Sequence, residues 1–319
     1  MCSSSSGHRV PALDSVHIRA ATRGSALALW QTDHVSELLA RAASSAGISL
    51  TFERVVVETV ADARLDIPIW EMGGKGVFVK EIQAAVLDGR ADIAVHSGKD
   101  LPARTPDELV LAAVPERADP RDILIGSTLA GLRHGATVAS GSVRRRAQLA
   151  ALRPDLVFEG LRGNIAKRLE KSFDFDAIVM AVAAIERLGL DLSDRVVEIL
   201  EPEVMLPQVA QGALAIECSV SDDAIRTLLA MIEHAPSRIA VDAERAFLDE
   251  LGGDCNLPAG AFATIDENTI IIEGLLASFD GQTVIRDRRV VDISDGATTG
   301  RSIARYLLDD LGGSALLDR

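Results

Sequence analysis

Ala91-Asp92-Ile93-Ala94-Val95-His96-Ser97-Gly98-Lys99-Asp100-Leu101-Pro102 is the stretch whose reading decides the fold. Ala91–Val95 is an apolar run of strand length, and His96–Pro102 is a tight polar loop. A carboxylate beside an ammonium at the carboxyl end of a buried strand sits where open α/β sheets place their ligands.

The flanking segments follow the same grammar. Val16–Ala21 reads as a strand, Ala26 to about Ala43 as a helix, and the β-branched Ser49–Thr59 as a second strand. Phe78, Ile82 and Val86 recur at spacing four, which predicts a helix from about Phe78 to Leu87. Leu109–Val114, Arg121–Gly126 and Ala136–Ser140 are further strands, and a helix opens at Val143. Leu156–Leu161 leads into a helix over Asn164–Lys171, and Phe175–Met180 into one over Ala181–Arg187. This alternation predicts a mostly parallel α/β sheet with helices on both faces.

From about Ser219 the pattern changes. Ser221-Asp222-Asp223 and Pro236-Ser237 each start a helix, the second running to Leu251. Gly260–Ile265, Thr269–Ser278 and Thr283–Val291 read as strands, the last two flanking Asp280-Gly281, and a helix follows over roughly Ala297–Leu311. This is a small α+β unit with a three-stranded antiparallel sheet.

Composition narrows the chemistry. The 319 residues suffice for two or three domains, and 48% hydrophobic residues is ordinary for a globular protein. No apolar stretch approaches the ~18 residues of a membrane span. Residues 1–15 are Ser-rich without an apolar core, so a disordered tail and a cytoplasmic location are expected. A net charge of −14 and 3% aromatic residues argue against nucleic acid. Against that acidic background, a local cluster of arginines is gathered for an anion. Cys2, Cys218 and Cys255 are too scattered for a disulfide framework or a zinc site, and the histidines never pair at metal-ligand spacing. No metal is expected.

Thr22-Arg23-Gly24-Ser25 joins a strand to a helix, where amides, Arg23 and Ser25 converge on an anion or Ser25 simply caps the helix. Gly73-Gly74-Lys75-Gly76 lacks the upstream Gly and following Ser or Thr of a phosphate loop. A mobile lid carrying Lys75, or a plain connection, remains. Ser142-Val143-Arg144-Arg145-Arg146 opens a helix after a strand, so arginine charge, helix dipole and free amides share one end. Arg162-Gly163-Asn164 repeats the arrangement, with Arg168 one turn further on. Arginine favours bidentate pairing with carboxylates, although a solvated basic face is the plainer alternative. Cys218, in the apolar run Ala213–Cys218, reads as an inert core residue. Cys255 follows Gly252-Gly253-Asp254 in an accessible loop. Asp254 disfavours a free thiolate there, which suits a thiol modified once better than a turnover nucleophile.

Taken in order, eight segments closely resemble the hydroxymethylbilane synthase, or porphobilinogen deaminase, family. They are Ala21-Thr22-Arg23-Gly24-Ser25; Gly73-Gly74-Lys75-Gly76; Asp92 to Ser97 with Lys99-Asp100-Leu101-Pro102; Ser142-Val143-Arg144-Arg145; Leu161-Arg162-Gly163-Asn164; Arg187-Leu188-Gly189-Leu190; Gln211-Gly212-Ala213; and Ala243-Glu244-Arg245. The resemblance covers about residues 16 to 278. It implies two periplasmic-binding-protein-like α/β domains with a cleft between them, plus the small α+β third domain. Domain 1 would span 16–114 and 211–230, domain 2 115–210, and domain 3 231–319 with the cofactor cysteine.

The implied activity is a transferase that deaminates four porphobilinogen molecules and joins them head-to-tail into a linear tetrapyrrole, released by hydrolysis. A dipyrromethane cofactor, bonded as a thioether to Cys255 by position, would prime the chain. Asp100 would be the catalytic carboxylate, accepting hydrogen bonds from pyrrole N–H groups and offsetting the positive charge that develops on them. Ser25, Ser97, Lys99, Ser142, Arg144, Arg145 and Arg162 would hold the cofactor. Arg23, Arg168 and Lys75 would hold substrate carboxylates. The lengthening chain must shift, so domain movement is the expected gate. Porphobilinogen is the implied partner, with no nucleic acid and no membrane, and a monomer is the simpler assembly.

The chain departs from the family's usual pattern at four places. Gly98 stands where a larger apolar residue is usual, Ala210 and Asp254 each replace a frequent Gly, and Arg146 is a third arginine where two are usual. A two-lobed anion-binding protein would explain the arginines but leave Cys255 and the third domain without a role. A cysteine-dependent hydrolase lacks a histidine near Cys255 in sequence.

Overall fold

Order along the chain sets the architecture. The computed structural model describes residues 15–59, 76, 79–252 and 257–317. The first group of elements is β1 (Ser15–Arg23), α1 (Ala26–Ser45), β2 (Ser49–Val57), α2 (Lys80–Leu87), β3 (Ile93–Ser97) and β4 (Leu109–Ala113). Then come β5 (Asp122–Ile125), β6 (Thr137–Ala139), α3 (Val143–Leu152), β7 (Val157–Glu159), α4 (Ile165–Glu170), β8 (Ala177–Ala181), α5 (Val182–Arg187) and β9 (Val197–Leu200). The last group is β10 (Leu214–Ser219), α6 (Asp223–Ala230), α7 (Ala235–Glu250), β11 (Ala259–Asp266), β12 (Thr269–Ala277), β13 (Val284–Asp292) and α8 (Gly296–Arg305).

Three sheets result, ordered β2-β1-β3-β10-β4, β7-β6-β8-β5-β9 and β11-β12-β13. The two five-stranded sheets share one pattern. β1 runs parallel to β2 and β3, but β10 is antiparallel to both β3 and β4. Likewise β6 is parallel to β7 and β8, whereas β5 is antiparallel to β8 and β9. Each five-stranded sheet is mostly parallel, as expected, with four strands running one way, and a single reversed strand makes it mixed. The cause is the crossing between the two sheets. β5 and β10 each arrive from the other sheet and slot in reversed, which a reading of local alternation does not detect. The edge strand β9 was also not anticipated, because its Val197 and Ile199 are largely exposed and give no buried run.

Local signals account for the elements near the crossings. Val35, Leu39 and Ala43 recur at spacing four and form the buried face of α1. They pack with Ile18, Ile93 and Ile216 under the first sheet. Alternate residues of β5 and β8 serve opposite faces of the second sheet: Leu124 and Val179 on one, Ile123, Ile125, Ile178 and Met180 on the other. α7 is capped by the His234 ring and carries Pro in its first turn, where a missing N–H costs nothing. The last helix ends sooner than expected, at Arg305, and Tyr306–Asp310 form a π turn. Phe78 lies outside the described residues.

The third sheet braces the other two. Phe247, Ala259 and Ile272 share a core with Leu101, Leu111 and Val114 of the first group. Leu275 and Ala277 pack with Ala147 and Leu206 of the second, and Arg286 donates to the carbonyls of Pro202 and Glu203. No helix among the described residues is long and apolar enough to cross a membrane.

α8 lies so close to α7 that a Cβ on Gly300 would run into the carbonyl oxygen of Ala243. Gly300→Ala should therefore separate the two helices and destabilise the protein by about 1–3 kcal/mol, despite the better helix former. A denaturant midpoint unchanged from the parent would contradict that contact.

Candidate active site

Parallel strands deliver their following loops to one end of each sheet, and the expected residues sit in those loops. β1 ends at Arg23, β3 at Ser97, β6 leads to Ser142, and β7 leads to Arg162. Ser25 caps α1, its hydroxyl accepting the Ala28 N–H at 3.3 Å, so the plain capping reading holds for that contact. Ser142 caps α3 in the same way, accepting the Arg145 N–H at 3.4 Å. Asn164 caps α4 through the Lys167 N–H, and the Arg168 Nε donates to the Gly163 carbonyl at 2.7 Å. Ser97, Lys99 and Asp100 are half-buried, the last two in a single 3-10 turn.

Arg144 and Arg145 depart from expectation. Both turn inward onto Asp122 at the start of β5, a fully buried carboxylate that the sequence reading did not single out. Arg144 bonds Asp122 at 2.8 Å and the Leu206 carbonyl at 2.6 Å, and only 1% of the residue is exposed. Its carboxylate partner in this structure is the protein's own. Arg145 spans Asp122 at 2.7 Å, the Val179 carbonyl at 3.1 Å and Gln211 Oε1 at 3.4 Å. Burial alone would raise the Asp122 pKa. The charges of Arg144 and Arg145 and the Gln211 hydrogen bond outweigh it and hold the group down at about 2.

Gln211 is the second residue the sequence reading left without a role. Its amide nitrogen donates to the Pro120 carbonyl at 2.7 Å and to Asp122 at 2.9 Å. Its amide oxygen lies 3.5 Å from Lys99 Nζ. One side chain thus joins the loop after β3 to the buried ion cluster of the second sheet. Loss of water around Lys99, aided by repulsion from Arg145, lowers its pKa to about 8 despite Asp100 and Asp122.

The two sheets share one field. Burial lowers the Arg168 pKa, and so do the charges of Arg145, Arg162 and Arg23, while Asp100 opposes them. Charges of Arg23 and Asp100 from the first sheet thus act on Arg168 of the second, and that of Arg145 acts on Lys99. Cations outnumber carboxylates there, which is the electrostatics of a site for a polyanion. Lys75 and Cys255 lie outside the described residues. Leu251 and Leu257, on either side of the Cys255 loop, pack in the same apolar cluster as Leu101. Cys218 is buried, and burial pushes its thiol up to about 11, as suits an inert core residue.

Two more buried carboxylates fasten this region. Glu217 of β10 accepts from Gln83 at 2.9 Å and Thr105 at 2.8 Å, and lies 3.1 Å from His96 Nε2. Glu244 of α7 binds Arg117 at 2.6 Å and the backbone N–H groups of Ala210 and Ala263. A lone acidic residue inside an apolar run, as in Leu214-Ala215-Ile216-Glu217-Cys218, is the signal that could have found Glu217. A groove of about 810 Å³ lined by Trp30, His34, Arg117, Arg187 and His234 opens beside the crossings, and none of the expected site residues lines it.

Residues 18–227 match the family model for the porphobilinogen deaminase dipyromethane cofactor binding domain, and residues 238–309 the model for the porphobilinogen deaminase C-terminal domain. The chain belongs to the porphobilinogen deaminase family. It is 44% identical over 301 residues to the porphobilinogen deaminase of Roseiflexus castenholzii, covering 93% of this chain and 97% of that one. It is 46% identical over 308 residues to that of Nitratidesulfovibrio vulgaris Miyazaki F, covering 93% and 95%. Its activity is accordingly porphobilinogen deamination in tetrapyrrole biosynthesis, with porphobilinogen as substrate and dipyrromethane as cofactor. Among solved structures, lipoprotein Tp32 of Treponema pallidum resembles it at a TM-score of 0.43 and 12% identity, over 68% of this chain and 90% of that one. The periplasmic binding protein STM4351 of Salmonella typhimurium does so at 0.37 and 12%, over 68% and 91%.

Because the folded Asp122 pKa lies below the ordinary aspartate value of 3.8, its stabilisation is complete above that value. It should be lost as pH falls from about 4 towards about 2. Asp122→Asn should cost about 3–5 kcal/mol at neutral pH by leaving two buried guanidinium groups uncompensated, and should flatten that acid limb. Denaturant titrations at several pH values would check both.

Proposed function

We propose that Asp100 is the carboxylate that makes chain extension possible, working within a ring of cations that hold the reacting chain by its carboxylates. The observation that carries this reading is the common field of Arg23, Lys99, Asp100, Arg145, Arg162 and Arg168 across the two sheets. Asp100 accepts hydrogen bonds from pyrrole N–H groups and offsets the charge that develops when porphobilinogen loses ammonia. Lys99, Arg145 and Arg162 hold carboxylates of the cofactor, and Arg23, Arg168 and Lys75 hold those of the incoming substrate. Ser25, Ser97 and Ser142 add hydrogen bonds. Ser25 and Ser142 accept at their caps yet keep an O–H to donate. Arg144 acts indirectly, by fixing Asp122 and through it Arg145.

The donor set fits a poly-carboxylate group. When bound, dipyrromethane would supply the free α-carbon that takes the first ring, each later ring joining the last pyrrole of the chain. Cys255 holds it covalently, and Leu251 and Leu257, which bracket that segment in sequence, belong to the same apolar cluster as Leu101. Domain 1 (16–114 and 211–230), domain 2 (115–210) and domain 3 (231–319) are the moving units of this reading. The enzyme works in the cytoplasm as a monomer.

Intact-mass measurement of the purified protein should show an added dipyrromethane that disappears in Cys255→Ser. An unmodified protein with full activity would remove Cys255 from the account. Asp100→Ala should keep the added mass and lose turnover by about 10²-fold or more. Turnover at the parent rate would end the proposed role of Asp100.

A further inference from the structure

The two residues before Asp100 are seated on the crossing by which the chain returns from the second sheet to the first. Residues 210–213 form a turn there, closed by the Ala213 N–H donating to the Ala210 carbonyl at 3.1 Å. Gly98 donates its N–H to the Ala213 carbonyl at 2.9 Å. A Cβ built on Gly98 would stand 3.0 Å from the Ala210 methyl carbon, 3.1 Å from the Ala210 oxygen and 3.3 Å from the Ala213 oxygen. Lys99 Nζ lies 3.5 Å from Gln211 Oε1 in the same turn. Three of the four turn residues therefore meet residues 98 and 99.

Ala210 is itself unusual. Its φ of +56° places an alanine in the left-handed region, which persists only where the surroundings over-determine it. Those surroundings are visible. Its N–H is held at 2.7 Å by Glu244, which in turn binds Arg117 of the outgoing crossing. Its methyl faces the bare Cα of Gly98. Both crossings and the third sheet thus converge on one methyl group that backs the Asp100 loop.

We infer that Ala210 is a positioning residue for Asp100: its methyl, fixed on the return crossing, seats in the space that Gly98 leaves open, so movement of the crossing moves the loop. Asp100 is then placed by the hinge as well as by its own strand. The inference rests on the reading of Asp100 given above. It makes residues 98 and 210 a matched pair, in which a methyl added at 98 would crowd the one at 210.

The test compares holoenzymes carrying Gly98→Ala, Ala210→Gly and both changes, by intact mass, melting temperature, KM and kcat. Ala210→Gly removes the seating methyl and the strained alanine together, so its melting temperature should stay near the parent's. Its cofactor mass should be complete and its KM within about twofold, while kcat falls by about fivefold or more. Gly98→Ala should lower kcat by about tenfold or more, and adding Ala210→Gly should recover much of that loss by vacating the space. Parent-like kcat in Ala210→Gly, or fold-changes that simply multiply in the double variant, would overturn the inference. Where Gly98→Ala fails to fold, Ala210→Gly still decides. Failure of the Asp100 reading is separate, since it appears as normal turnover in Asp100→Ala, whereas coupling of the melting temperatures at 98 and 210 does not depend on it.

Discussion

A fully buried carboxylate between two buried arginines holds this molecule's active end together. Asp122 faces Arg144 and Arg145 at 2.8 and 2.7 Å with no access to water. An ion cluster of this kind brings little net stability, because desolvation of three charges offsets most of their attraction. What it provides is geometry. Arg145 is fixed through all three of its guanidinium nitrogens, by Asp122, the Val179 carbonyl and Gln211. Gln211 then carries that order across to Lys99, so the cation-rich loops of the two sheets are not independent.

The same economy appears at Glu217 and Glu244. Each is a carboxylate with no exposed surface, and each ties elements that are far apart in sequence. Glu217 gathers α2, β3 and the loop after Asp100. Glu244 gathers both crossings and the third sheet. The polar interior is therefore a set of fasteners around the cleft. The apolar clusters supply the bulk of the burial, and the fasteners decide where the loops end up.

Much of this was legible in the chain itself, for reasons that differ by element. The buried spacing of Val35, Leu39 and Ala43, and the strand before His96, are local patterns that burial imposes on sequence. The loops at strand ends were legible for the same reason, since chemistry gathers at the carboxyl ends of open sheets. The partner of Arg144 was not. Asp122 lies 22 residues away, and nothing in a run of arginines says whether the anion is a ligand or a neighbour. Reversed insertion of β5 and β10 was hidden likewise, because it depends on where the chain returns. Gly98 and Ala210 were each visible as departures from the family's usual pattern, but their contact is visible only in three dimensions.

What remains decisive is whether Asp100 acts through its charge or only as a hydrogen-bond acceptor. Asp100→Asn keeps shape and acceptor oxygen and removes the charge. Steady-state kinetics of that holoenzyme, with its cofactor mass verified, separate the two. A KM near the parent's with kcat lowered by about 10²-fold or more is the predicted result. A kcat within a few-fold of the parent's would contradict the account.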